Sequence, residues 1–273
     1  MFGGRRERSG DPSVDVISRA SHATRHSVAP DLHSEPGAAS VRFMADVVAL
    51  MSNGDGAAGY LVTPPTGSGP EVIVVQEWWG LDSGIKEMAE RLGQGGFVAL
   101  APDLYHGELA GHDEMDKASE LMQKMPPDRA ARDMSAAVDY LAGHDATTSD
   151  GIGVVGFCMG GMLTFLLATH RPDKVTAAVA FYGYPQGEME PDWSALSASI
   201  RGHMAEHDDF FGPEGARALE AKLQGMGKDV SFTVHPGTGH AFMAPHNALG
   251  TLDEERGQQI WPEVLAFLHE KLG

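Results

Sequence analysis

The stretch Ile152-Gly153-Val154-Val155-Gly156-Phe157-Cys158-Met159-Gly160-Gly161 decides how the rest of the chain is read. Its first half is a short apolar run, the pattern of a strand buried on both faces. Met159 to His170 then reads as an apolar helix, so a strand passes into a helix across a turn centred on Cys158. In such a G-x-nucleophile-x-G turn the nucleophile is held in a strained backbone conformation. The flanking glycines let strand and helix approach without Cβ clashes. The turn also sets the thiol at a helix N-terminus, where unpaired N–H groups and the helix dipole favour a thiolate. It aims the Met159 N–H at an oxyanion formed on a substrate. A lone cysteine is more commonly a buried structural residue; the strand–turn–helix setting favours the nucleophile. A phosphate-cradling loop fits less well, because no Lys-Ser/Thr follows.

Working outward, the run Val72-Ile73-Val74-Val75 predicts a second strand buried on both faces. It is preceded by a hairpin, Asp46 to Met51 and Gly59 to Thr63, around the turn Ser52-Asn53-Gly54-Asp55-Gly56. Helices are predicted over 84–94 and 129–142 and strands over 97–101, 175–181, 199–204 and 230–234. A closing helix carries Trp261, Val264, Leu265, Leu268 and Leu272 at helical spacing. Strands alternating with helices imply crossover connections and a mostly parallel, doubly wound sheet flanked by helices. With the nucleophile turn, that is the expectation of an α/β-hydrolase fold. Residues 41–273 are read as this domain. Residues 1–40 are dominated by Ser, Arg, His, Gly and Pro and are read as a flexible or surface-draped arm.

Composition narrows the function. A net charge of −18 disfavours nucleic acid as a partner, since phosphate binding needs a basic surface. One cysteine in 273 residues leaves no intrachain disulfide and no CxxC pair for zinc or redox work. No apolar run approaches the ~20 residues of a membrane helix, and no HExxH-type spacing suggests a metal. The expectation is a cytoplasmic protein acting on a small molecule, with no cofactor, metal or membrane partner.

In a doubly wound sheet the informative residues follow the strands. A nucleophilic thiol needs a base, and that base needs an orienter, in the chain order nucleophile, acid, histidine. After the strand 199–204 comes Ala205-Glu206-His207-Asp208-Asp209-Phe210-Phe211, and Asp208 is preferred there over Glu206 and Asp209. After the last strand comes His235-Pro236-Gly237-Thr238-Gly239-His240-Ala241-Phe242. His240, on glycine-rich chain, is preferred over its rival His235.

Taken together, the pieces Gln76-Glu77-Trp78-Trp79-Gly80, Pro102-Asp103-Leu104-Tyr105, Gly156-Phe157-Cys158-Met159-Gly160-Gly161, Asp208-Asp209-Phe210-Phe211 and Gly239-His240-Ala241-Phe242 resemble the dienelactone hydrolase family, in family order over nearly all of 46–273. These are cysteine-dependent α/β-hydrolases of the carboxymethylenebutenolidase type. The resemblance implies a Cys158–His240–Asp208 triad forming an acyl-cysteine. It implies that Glu77 contacts the resting thiol and helps pass its proton on, and that the Trp78 N–H completes an oxyanion hole with that of Met159. Trp79, Tyr105, Tyr182, Phe210 and Phe242 are the expected pocket walls. Two arginines that hold the lactone carboxylate in the family are missing. Met115 stands at the first position, with Lys117 as a nearby substitute and Ser119 where a tyrosine accompanies it; Ala244 stands at the second. Dienelactone is therefore expected to be a poor substrate, and a less anionic ester or lactone a better one. Thioester or peptide hydrolysis by the same triad is a rival reading. A non-catalytic or redox-sensing protein that keeps a reactive Cys158 is another.

Overall fold

A computed structural model describes residues 43–52 and 55–273. The arm read over 1–40 and the tip of the hairpin turn at 53–54 lie outside the described residues. Among the described residues eight strands form one sheet: β1 (Met44–Ser52), β2 (Asp55–Thr63), β3 (Gly69–Val75), β4 (Val98–Pro102), β5 (Thr147–Phe157), β6 (Val175–Phe181), β7 (Ser199–His207) and β8 (Val230–Gly239). Their order across the sheet is β1-β2-β4-β3-β5-β6-β7-β8. The hairpin pairs antiparallel, and β2 also lies antiparallel to β4; from β4 through β8 every pair is parallel.

Helices α1 (Ser83–Gln94) and α6 (Glu254–Leu272) cover one face; α2 (Met115–Lys124), α3 (Pro127–Ala142), α4 (Met159–His170) and α5 (Pro213–Gly225) cover the other. Every residue of β3 is buried, because both faces of a parallel strand lie under helices. Val72 and Val74 join the α1–α6 side while Ile73 and Val75 join the α3–α4 side, the period of two that a strand imposes. This is the expected mixed, mostly parallel sheet flanked by helices.

From β3 the chain crosses to β4 on one side, then returns to β5 on the other side of β3. The switch in winding direction therefore falls between β3 and β5, where such sheets open a crevice at the carboxyl ends of their strands. Among the boundaries that differ from the sequence reading, two bear on the site. β7 runs on to His207 and β8 to Gly239. The two extensions pair through His207 and Gly239 after a register shift, so the ladder continues past the apolar runs that mark a strand in sequence. Helix α5 was not read from the sequence, although Ala216, Leu219 and Leu223 form its buried stripe.

Candidate active site

The ladder registers assemble the site. Val75 pairs with Gly156, which brings the chain after β3 beside Cys158. Phe157 pairs with Phe181, which sets Cys158 beside Tyr182. His207 pairs with Gly239, which puts Asp208 and His240 side by side. Five segments far apart in sequence thus meet around the switch point.

Cys158 sits at φ 54°, ψ −118° between β5 and α4, a left-handed backbone that a non-glycine residue holds only when its surroundings impose it. The two glycines of the turn are forced by packing. A Cβ on Gly156 would lie 2.1 Å from the Gly160 carbonyl oxygen, and one on Gly160 would lie 2.3 Å from that of Val75. The Sγ of Cys158 lies 3.1 Å from His240 Nε2. His240 Nδ1 lies 2.8 Å from Asp208 Oδ2, and Asp208 Oδ1 accepts the backbone N–H groups of Phe210 and Phe211 at 2.9 and 2.8 Å. Burial alone raises the Asp208 pKa, but the bond to His240, its charge and these two N–H donors together hold it below the usual carboxylate range. An ionised Asp208 makes Nδ1 the protonated nitrogen of a neutral His240 and leaves Nε2 to accept a proton from sulfur.

The thiol departs from the sequence expectation. The helix N-terminus argued for a thiolate, but the Cys158 pKa is raised well above its ordinary value. Burial contributes most, followed by the Glu77 carboxylate; Asp208 adds less, and the N–H groups of Met159 and Trp78 pull the other way. Burial and the Glu77 charge favour the protonated thiol. The helix contributes, and desolvation outweighs it.

The rivals fall elsewhere. Glu206 and Asp209 are exposed, and Glu206 accepts the Gly237 N–H at 2.9 Å. His235 is buried in β8 with Nε2 3.1 Å from His203 Nδ1. Both imidazoles stay neutral: burial, then neighbouring His235, lowers the His203 pKa to about 3, and burial, then Arg256, lowers that of His235 to about 4. The unfolded chain takes up protons below about 6.5 that these sites refuse. Their contribution to stability is therefore full above that pH and is lost as pH falls toward the folded values, about 2 kcal/mol by pH 5 from His203 alone. Thermal melts at pH 7.5 and pH 5 are expected to show a smaller acid loss for His203→Gln than for the wild type; equal losses contradict the assignment.

A model of the dienelactone hydrolase family matches residues 57–272. The chain belongs to that family. Protein usf of Aquifex pyrophilus is 37% identical over 235 residues, covering 84% of this chain and 100% of that protein. A protein of Aquifex aeolicus provisionally named carboxymethylenebutenolidase is 33% identical over 230 residues, covering 82% and 97%. Among solved structures, a provisionally named dienelactone hydrolase from Klebsiella pneumoniae superposes with a TM-score of 0.73 at 28% identity, covering 84% of this chain and 99% of that one. As a dienelactone hydrolase family member, the chain is a hydrolase of the ester and lactone type.

Within this family frame the other expected residues divide. The Trp78 and Met159 N–H groups both face the sulfur. Glu77 is buried, but its oxygens are taken by other partners: Oε1 accepts the Tyr182 hydroxyl at 3.1 Å and Oε2 pairs with His246 Nε2 at 2.9 Å. These bonds hold the carboxylate where its charge acts on the sulfur, while the hydrogen-bond partner of the thiol is His240. Trp79 and Phe210 line the cavity over Cys158. Tyr105, Tyr182 and Phe242 do not; they are buried behind its wall. Tyr182, at a φ of 37°, sets its hydroxyl on Glu77 and meets His240 and Phe242 edge-on. Tyr105 places its hydroxyl on the Met159 sulfur.

His246, in the loop 244–250 that sequence places at the pocket rim, is a site residue to which sequence reasoning assigns no role of its own. It stacks on His112 at 4.2 Å, and His112 Nε2 in turn lies 2.7 Å from Asp82. Two imidazoles thus tie Glu77 to the N-cap of α1. At the family's arginine positions, Met115 is the exposed first residue of α2 and Ala244 is buried. Lys117 lies 3.8 Å from Glu114 and Ser119 accepts from Gln123; neither lines the cavity. Among the described residues no Lys or Arg lines it, no group of three or more His, Cys, Asp or Glu is set to hold a metal ion, and no helix is long and apolar enough to cross a membrane.

Proposed function

We propose that the chain hydrolyses a carboxylic ester or lactone of low negative charge through an acyl-cysteine on Cys158. The observation that carries the reading is the continuous line Sγ–Nε2, Nδ1–Oδ2 at 3.1 and 2.8 Å, within the 2.6–3.2 Å reach that nucleophile and base require. Substrate binding brings a carbonyl carbon to Sγ. The S–H proton passes to His240 Nε2 as the C–S bond forms, and the oxyanion takes the N–H groups of Trp78 and Met159. Collapse breaks the C–O bond, and the His240 proton leaves with the alcohol. Water then attacks the thioester with His240 as base, releasing the acid and restoring the thiol.

Glu77 acts at rest. Its negative charge beside the sulfur favours the protonated thiol, and the bonds from Tyr182 and His246 hold that carboxylate in place. A resting thiol also bears on the redox-sensing alternative. Sensor cysteines have low pKa values and open access, and Cys158 has a raised one in a half-buried position.

Low charge preference follows from the walls. Acids at Glu77, Asp192 and Asp209 line the cavity, and among the described residues no Lys or Arg offsets them, so a free carboxylate meets repulsion rather than a bidentate partner. Steady-state kcat/KM for dienelactone is expected to fall at least about tenfold below that for p-nitrophenyl acetate, the equivalent of one lost charged hydrogen bond. Equal values remove the preference.

A further inference from the structure

The cavity over Cys158 is far larger than a small lactone requires. Its volume is about 1070 Å³, at the upper end of ordinary ligand pockets. It does not stop at the reacting sulfur. The lining follows one side of α4, through Met162, Leu163, Leu166 and Leu167 to Thr169 and His170, a run of about 16 Å at helical rise from Met159. That stripe explains an oddity of α4. The helix is apolar on every side, as a fully buried helix is, yet Met162 and Leu166 are only half-buried. One side packs on β5 and β6, and the other is the floor of a trough.

The facing wall comes from Met122, Met125 and Met134 of the α2–α3 region, and from Met189 and Ala195 after β6. Unbranched, polarizable thioethers make a surface that adapts to flexible apolar chains. At the other end lie His240, His246 and Leu249. In the proposed reaction the leaving alcohol must face His240, so the trough running away from His240 along α4 receives the acyl side.

We infer that the acyl group of the substrate is a neutral, apolar chain of up to about twelve carbons, lying along α4 with its carbonyl at Cys158; the length follows from a ~16 Å trough and the ~1.3 Å that each carbon of an extended chain advances. This rests on the ester-hydrolase reading above and adds to it the substrate class.

The test is kcat/KM for p-nitrophenyl esters from acetate to decanoate, each below its solubility limit, with Cys158→Ala as the background. A fully buried methylene favours binding about fourfold; a half-open trough is expected to give about twofold per carbon, on the order of 10²-fold from acetate to decanoate. Leu166→Trp sets a bulky ring in the trough about 12 Å along the helix from Cys158. It is expected to cut the decanoate-to-acetate ratio at least tenfold. Met189→Glu, an exposed position on the opposite wall, is expected to lower the same ratio and serves if the tryptophan variant does not fold. A Cys158-dependent activity that is flat or falling with chain length overturns the trough while leaving acyl transfer standing. A rising wild-type series that neither variant alters overturns it as well. Loss of Cys158-dependent turnover for every ester overturns both readings.

Discussion

Cys158→Ala is expected to lower kcat for p-nitrophenyl acetate by about 10⁵-fold, the scale seen when the nucleophile of a covalent hydrolase is removed. The effect is large because no other group is in place to attack. His240 Nε2 is aimed at Sγ, and the N–H groups of Trp78 and Met159, the proposed oxyanion donors, converge on the same atom. Without sulfur, the donors and the base retain only the residual catalysis of a polarised carbonyl and an oriented water. Alanine is smaller than cysteine but tolerates the φ of 54° no better, so stability is expected to change little. A thermal melt close to wild type separates lost chemistry from lost fold. A fall of less than tenfold in kcat, with the fold intact, contradicts the assignment of the nucleophile.

The second large effect is at Asp208. Its Oδ1 accepts two backbone N–H groups, from Phe210 and Phe211, so in Asp208→Asn the amide oxygen must remain on that side. The amide nitrogen then falls where Oδ2 faced His240 Nδ1 and donates toward it. His240 is driven to the tautomer with its proton on Nε2, which can no longer accept the thiol proton. A fall of about 10³ to 10⁴ in kcat is expected for this reversal. Asp208 is buried and does not line the cavity, so KM is expected to move little. A variant within tenfold of wild-type kcat contradicts the role given to Asp208.

The parts of the site legible in sequence are those fixed by strand ends. The glycines of G-x-C-x-G are demanded by contacts to the Gly160 and Val75 carbonyls, so the motif carries its own geometry. Asp208 and His240 were legible because each directly follows a strand, and β7 and β8 are neighbours whose last paired residues precede them. What escaped depends on contacts with no local signature. His246 reaches Glu77 across 169 positions, and nothing near either residue announces the pairing. The trough walls are methionines scattered over α2, α3 and the chain after β6, each unremarkable in its own helix or turn. The balance at the Cys158 thiol is legible only in part for the same reason. A helix N-terminus is visible in sequence, while the burial and the Glu77 charge that oppose it exist only in the assembled fold. Of the expected aromatic walls, Tyr105, Tyr182 and Phe242 follow strands as Trp79 and Phe210 do; sequence places a residue at a strand end but does not say which way its ring turns.

The measurement that bears on the whole scheme is mass spectrometry of the wild-type protein quenched in acid during turnover of p-nitrophenyl acetate. Acyl transfer through the thiol predicts one acetyl group on the peptide carrying Cys158, formed with a burst of p-nitrophenol and lost as substrate is exhausted. Steady p-nitrophenol release with no acetyl on Cys158 at any quench time, or an acetyl that persists on another residue, would contradict it.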